Sequence, residues 1–196
     1  MKFTISAFTA VVVASSFVGS SLATSARPVE KCGSDSKILN STTVQHNGKE
    51  IKFTTATCPD IQKTLHAKRG ATSLTKRQIS VCANGGCEIE CADTGEQPFI
   101  SDCQTVADYL EGLYPQSFIV EPGTYAWVSS YTCAFAFLNE DVVDYNVCYS
   151  EFGLNGIIAA DDCFADWPAT TATPGALCVT PGFKGNDWDI EIYNPE

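Results

Sequence analysis

The stretch Asp187-Trp188-Asp189-Ile190-Glu191-Ile192-Tyr193 alternates cleanly, with Trp188, Ile190 and Ile192 on one side and Asp187, Asp189 and Glu191 on the other. A period of two is the mark of a strand that buries one face. Upstream, Leu177 to Thr180 reads as a short strand, and Trp167 to Gly175 as a Thr/Ala/Pro loop. From Asp144 to Ala160 the spacing of Cys148, Phe152, Ile157 and Ile158 is helical, although Gly153 and Gly156 oppose a helix. Tyr125 to Leu138 reads as one or two buried strands. Tyr125 and Trp127 share a face, and the register continues through Tyr131, Cys133, Phe135 and Phe137. Phe118-Ile119-Val120 is a strand, followed by a Pro122-Gly123 turn. Ahead of it, Ser101 with Gln104 three residues later reads as a capping box. The apolar stripe Cys103, Val106, Ala107, Leu110 and Leu113 then carries a helix toward Pro115. Helices and strands in this order predict an α+β fold: a small disulfide-rich, single-domain sandwich of helices on an antiparallel sheet.

The chain divides by charge. Residues 1–23 read as a secretory signal, with Lys2 at a short positive end, an apolar stretch over Phe8 to Val18, and small residues at Ser21-Leu22-Ala23. That stretch is too short and weak to span a bilayer, so no membrane insertion is expected. Residues 24–77 carry ten basic side chains against four acids, a net of +6. Residues 78–196 carry Lys184 alone against nineteen acids, a net of −18. Two dibasic pairs, Lys68-Arg69 and Lys76-Arg77, lie in a polar stretch at this boundary. Secretory processing after Lys76-Arg77 is therefore expected, giving a mature domain of residues 78–196 that starts at Gln78. The basic segment should be drawn to the acidic domain. Within it, Asn47-Gly48 between Thr42–His46 and Lys49–Thr57 predicts a hairpin with a type I′ turn. Asn40-Ser41-Thr42 is a glycosylation sequon.

The cysteines divide at the same boundary. Cys32 and Cys58 lie before it. Cys82, Cys87, Cys91, Cys103, Cys133, Cys148, Cys163 and Cys178 lie after it. Even counts on both sides, in a secreted extracellular chain, predict two separately paired sets of disulfides, with Cys32 and Cys58 stapling the hairpin's ends. The order of pairing among the eight is open. Cys82-x4-Cys87-x3-Cys91 lacks zinc-site spacing, and no metal or cofactor is expected.

Both histidines, His46 and His66, precede the boundary. Residues 78–196 thus lack the base of a Ser-His-Asp or Cys-His centre, and a free thiolate is not expected among paired cysteines. One lysine and no arginine make nucleic acid a poor partner. What remains is carboxylates and aromatic rings. Asp161-Asp162-Asp166, Glu140-Asp141-Asp144 and Glu88-Glu90 are the acidic clusters, and nineteen acids in 119 residues make such clusters ordinary solvated faces. Trp127 and Trp188 fall on strand patterns and read as core. Trp167, in a loop between Asp166 and Pro168, suits stacking on a sugar ring, with Asp166, Asn186 and Asp187 gathered nearby to take its hydroxyls.

The frame resembles a family of small glycan-binding, lectin-like proteins of mushroom-forming fungi, of the ink-cap type. The residues that carry the resemblance are Cys82-x4-Cys87-x3-Cys91, then Asp102-Cys103 with Val106-Ala107-Asp108-Tyr109-Leu110, and Tyr131-x-Cys133 with Leu138-Asn139. Tyr145-x2-Cys148-x14-Cys163 and Gly175-x2-Cys178-Val179 complete it, over about residues 80–193. The resemblance implies an α/β sandwich with four disulfides, non-catalytic binding of fucose- or GalNAc-type glycans, and a homodimer formed through sheet edges. The expectation is a secreted carbohydrate-binding protein and not an enzyme, in fungal defence or host interaction. The alternatives are a cysteine-rich effector or toxin-like protein that binds a protein partner, and a carboxylate-only glycosidase.

Overall fold

The computed structural model describes residues 31–68, 78–82, 87–92, 96–164, 175–180 and 187–195. Residues 1–23, read as a signal, the dibasic residues Lys76 and Arg77, and the segment around Trp167 lie outside these. The fold is α+β, with three helices against a large antiparallel sheet.

The predicted hairpin forms. Strands β1 (Ile38–His46) and β2 (Lys49–Thr57) pair antiparallel about Asn47 and Gly48, both at positive φ (52° and 76°), as a type I′ turn requires. Helix α1 (Pro59–Lys68) follows directly. The hairpin does not stand apart from the acidic part of the chain. β2 pairs from Lys52 to Thr57 with β6 (Thr124–Ser130), so β1 and β2 form one end of a seven-stranded sheet. β7 (Cys133–Asn139), β10 (Trp188–Tyr193), β9 (Gly175–Val179) and β4 (Glu88–Ala92) complete it in that order. A smaller sheet joins β3 (Gln78–Ser80) in parallel, and β5 (Ser117–Val120) antiparallel, to β8 (Asp144–Cys148).

One face of the large sheet carries Ile51, Val128, Phe135, Phe137, Ile190 and Ile192. Helices α2 (Ile100–Glu111) and α3 (Tyr149–Phe164) cover it through Val106, Leu110, Phe152 and Ile157. The opposite face carries Ala56, Tyr125, Ala134, Ala136, Leu138 and Tyr193 with the Cys32–Cys58 pair, and Ile61 of α1 packs on it.

Several local expectations change. A turn at Tyr131 (φ 47°) reverses the chain, so Cys133, Phe135 and Phe137 face the helices, away from Tyr125 and Trp127. A strand period cannot be carried through a hairpin turn. Asp144 to Cys148 is a strand, and the helix starts only at Tyr149. Phe99 occupies the cap position of α2 without a side-chain cap bond, and Ser101 lies inside the helix, its carbonyl accepting from Thr105 Oγ1 (2.8 Å). Asp102 is used elsewhere: its carboxylate accepts from Thr132 Oγ1 (2.9 Å) and anchors the β6–β7 turn. Helix α2 ends at Glu111, four residues before Pro115.

All ten cysteines are paired, as Cys32–Cys58, Cys82–Cys148, Cys87–Cys178, Cys91–Cys163 and Cys103–Cys133. No bridge crosses from residues 31–68 to the rest. The four others close loops of 30 to 91 residues, and each contributes about 2–4 kcal/mol.

The glycines that argued against α3 are what seat it. A Cβ on Gly156 would lie 2.4 Å from the ring of Phe135, and one on Gly153 would lie 2.9 Å from Leu110 Cβ. Gly156→Ala gains helix propensity but forces α3 off β7, and overpacking of this kind costs about 1–3 kcal/mol. Thermal unfolding should show a lower Tm for this variant. An equal or higher Tm would mean that α3 is not packed so closely.

Candidate functional site

The alternation over 187–193 is real, but its acidic side is not solvated. Asp189 is 8% exposed and Glu191 is fully buried. Strand register explains why. Thr54, Trp127, Ala136, Glu191, Leu177 and Glu90 are successive cross-strand partners on the face away from α2 and α3. Glu191 thus sits in mid-sheet, and Asp189, two residues away, points the same way.

The chain ahead of the hairpin supplies the counter-charge. Lys31 Nζ donates to Asp189 Oδ2 at 3.0 Å and lies 2.5 Å from Glu191 Oε1. Glu191 Oε2 and Asp189 Oδ1 have no hydrogen-bond partner among the described residues. Burial would lower the Lys31 pKa, but the two carboxylates outweigh it and raise it. Burial raises Asp189 against the pull of Lys31. Burial, with Asp189 beside it, pushes Glu191 up to about 8 even though Lys31 opposes the shift. One ammonium neutralises one carboxylate, so the second is most stable holding a proton.

Beside this triad, Tyr125 and Trp127 stack at 5.0 Å and 15°, and Tyr125 Oη lies 3.3 Å from Ser36 Oγ. Trp127 is half-buried. So is Trp188, which stacks on Phe137 on the opposite face (5.3 Å, 19°).

Where α1 passes over the sheet's end, Lys31, Asp60, Ile61, Thr64, Leu65, Glu140 and Asp187 line a cleft of 280 Å³. Glu140 and Asp187 are held together by a backbone bond, Glu140 N–H to Asp187 O (2.9 Å). Asp187 N–H also donates to Tyr145 Oη (3.1 Å), whose own proton goes to Asp141 Oδ2 (3.0 Å). Burial first, and Asp141 after it, raise the Tyr145 pKa, which keeps the phenol a donor.

Of the residues expected to contact a sugar, Asp187 lines this cleft, while Asp166, Trp167 and Asn186 lie outside the described residues. Asn40 is exposed on β1. The acidic clusters separate: Glu88 and Glu90 are exposed on edge strand β4, Asp161 and Asp162 are exposed on α3, and Asp141 is occupied in its own turn. The sequence reading missed Lys31 and the α1 side of the cleft. The available signal was that two acids two residues apart must share a face, on a strand whose neighbours are apolar.

No family model, no curated protein and no solved structure matches this chain. Among the described residues no helix is long and apolar enough to cross a membrane, and the five disulfides fit an extracellular protein.

The proton held by the triad gives stability a defined pH dependence. The Glu191 pKa is raised on folding, so its contribution is complete below about 4.5 and is lost as pH rises through about 8. Glu191→Gln, a neutral mimic of the protonated acid, should flatten the stability profile between pH 5 and 8 and unfold later than the wild type at pH 8. Denaturant unfolding at both pH values measures this, and parallel profiles for the two proteins would contradict the assignment.

Proposed function

We propose that this is a secreted, non-catalytic carbohydrate-binding protein whose sugar site is the Asp187 cleft. The observation that carries the reading is the cleft's lining. Asp60, Glu140 and Asp187 offer acceptors, Thr64 a hydroxyl, Lys31 a donor, and Ile61 and Leu65 an apolar side. Sugars need this mixture, with hydroxyls taken by fixed polar groups and C–H faces by aliphatic or aromatic carbon. At 280 Å³ the cleft is just below the roughly 300–1,000 Å³ of drug-sized sites, which suits one ring better than an oligosaccharide. Asn186, next in sequence to Asp187, is proposed to complete the contact. The cysteine frame's resemblance to the ink-cap type of fungal lectins supports the same reading, with fucose- or GalNAc-type glycans as the class and a homodimer as the form that raises avidity.

All ten cysteines are paired, and neither His46 nor His66 is among the residues that line the cleft, which favours binding over nucleophilic catalysis there.

A glycan array probed with the secreted full chain tests the reading, and micromolar to millimolar binding of a terminal monosaccharide is expected. Asp187→Ala should weaken it about tenfold or more, with the fold intact by circular dichroism. Unchanged binding by Asp187→Ala would refute this site. No binding on a broad array would refute the lectin reading in favour of a protein-binding effector, and turnover of an oligosaccharide would refute it in favour of a glycosidase.

A further inference from the structure

The N-terminal segment is engaged with the rest of the molecule at three separate places. Within the sheet, β2 pairs with β6 from Lys52 to Thr57, and Ile51 enters the main core fully buried. On the face away from α2 and α3, Lys31 reaches the buried Asp189 and Glu191. The Cys32–Cys58 pair caps the patch of Tyr125, Ala134, Ala136 and Leu138, and Cys58 N–H donates to Gly123 O (2.8 Å). At the hairpin tip, beside the other face, Lys49 Nζ reaches Thr105 Oγ1 (2.9 Å) and Asp102 Oδ1 (3.4 Å), and His46 packs edge-on against Tyr109 (5.5 Å). The segment grips the sheet's end from both sides.

We infer that residues 31–68 are a permanent structural part of the domain: a cut at either dibasic pair divides the chain, but the two products stay together as a non-covalent pair. Four observations support this. First, no disulfide joins the segment to the rest, so the interface alone decides whether it leaves. Second, departure would strip β6 of one of its two partner strands and bare the Tyr125–Leu138 patch, groups that are now buried. Third, Lys31 is paired with the buried Asp189 and Glu191, and this pairing is given up when the segment departs. Fourth, the outer edge of the sheet is finished on β1. Its side chains are mostly exposed, its register slips between Ile38 and Asn40, and Asn40 opens the sequon. Bulges and bulky polar groups are how a sheet protects its last strand from further pairing.

This inference does not depend on what the cleft binds. The test starts from the secreted full chain, cut with a dibasic-specific endoprotease and checked by mass. Native size-exclusion chromatography, with mass analysis of each peak, should find both polypeptides in one peak. They should part in guanidinium chloride without reductant. Two native peaks, one of each fragment, would overturn the inference. Lys31→Met in the same experiment should weaken the pair roughly a hundredfold, and an unchanged dissociation constant would remove Lys31 from the account. Should that variant fail to fold before cutting, dilution of the cut wild-type protein decides. A pair that survives at nanomolar concentration supports the inference, and one that separates at micromolar concentration overturns it.

Discussion

One ammonium group between two carboxylates, under the middle of a β-sheet, is the constraint around which this molecule is arranged. Glu191 lies on a central strand with no exposure, and its neighbour Asp189 faces the same way. Two carboxylates that close cannot both be ionised away from water without a cation. Residues 78–196 contain a single lysine, Lys184, and no arginine, so the strand's own part of the chain is poorly placed to supply one. Lys31 supplies it from the opposite side of the charge boundary. The charge asymmetry in the sequence is therefore partly structural. The attraction between a basic segment and an acidic domain is concentrated at Lys31, and again at Lys49 on Asp102. Because Lys31 is largely withdrawn from solvent, salt screens it much less than it screens a surface pair.

The same constraint ties the fold to the candidate site. The segment that carries Lys31 continues into the hairpin and then into α1, and α1 forms one wall of the cleft whose other wall is Glu140 and Asp187. A ligand there would touch both parts of the chain. Held by β2 on β6 and by Cys32–Cys58, α1 cannot drift without disturbing the sheet. That is the rigidity the proposed sugar site needs.

Much of this was legible in the sequence. Asn47-Gly48 specified its turn, and the alternation at 187–193 specified its strand and which side chains share a face. The even split of cysteines correctly predicted that no bridge crosses the boundary. The errors have physical causes. Periodicity cannot see a reversal, so Tyr131 hid the change of face between β6 and β7. Gly153 and Gly156 read as helix-weakening because propensity is local, whereas their purpose is contact with Leu110 and Phe135, far away in sequence. The burial of Asp189 and Glu191 was not readable, because burial of a charge depends on a partner, and that partner is 158 residues from Asp189. Of the candidate site, Asp187 was readable as a polar group beside an aromatic strand. The α1 wall was not, because nothing local to Asp60 or Thr64 reveals what it packs against.

The central claim is that β2 belongs to the sheet as fully as β7 or β10 does. Amide hydrogen exchange of the full chain, read by segment, tests it most directly. If β2 and Lys31 hold the sheet's end as described, residues 51–57 and 124–130 exchange as slowly as residues 133–139, in one cooperative opening. If residues 51–57 exchange freely while 133–139 remain protected, the N-terminal segment is only a loosely held appendage and the account is wrong.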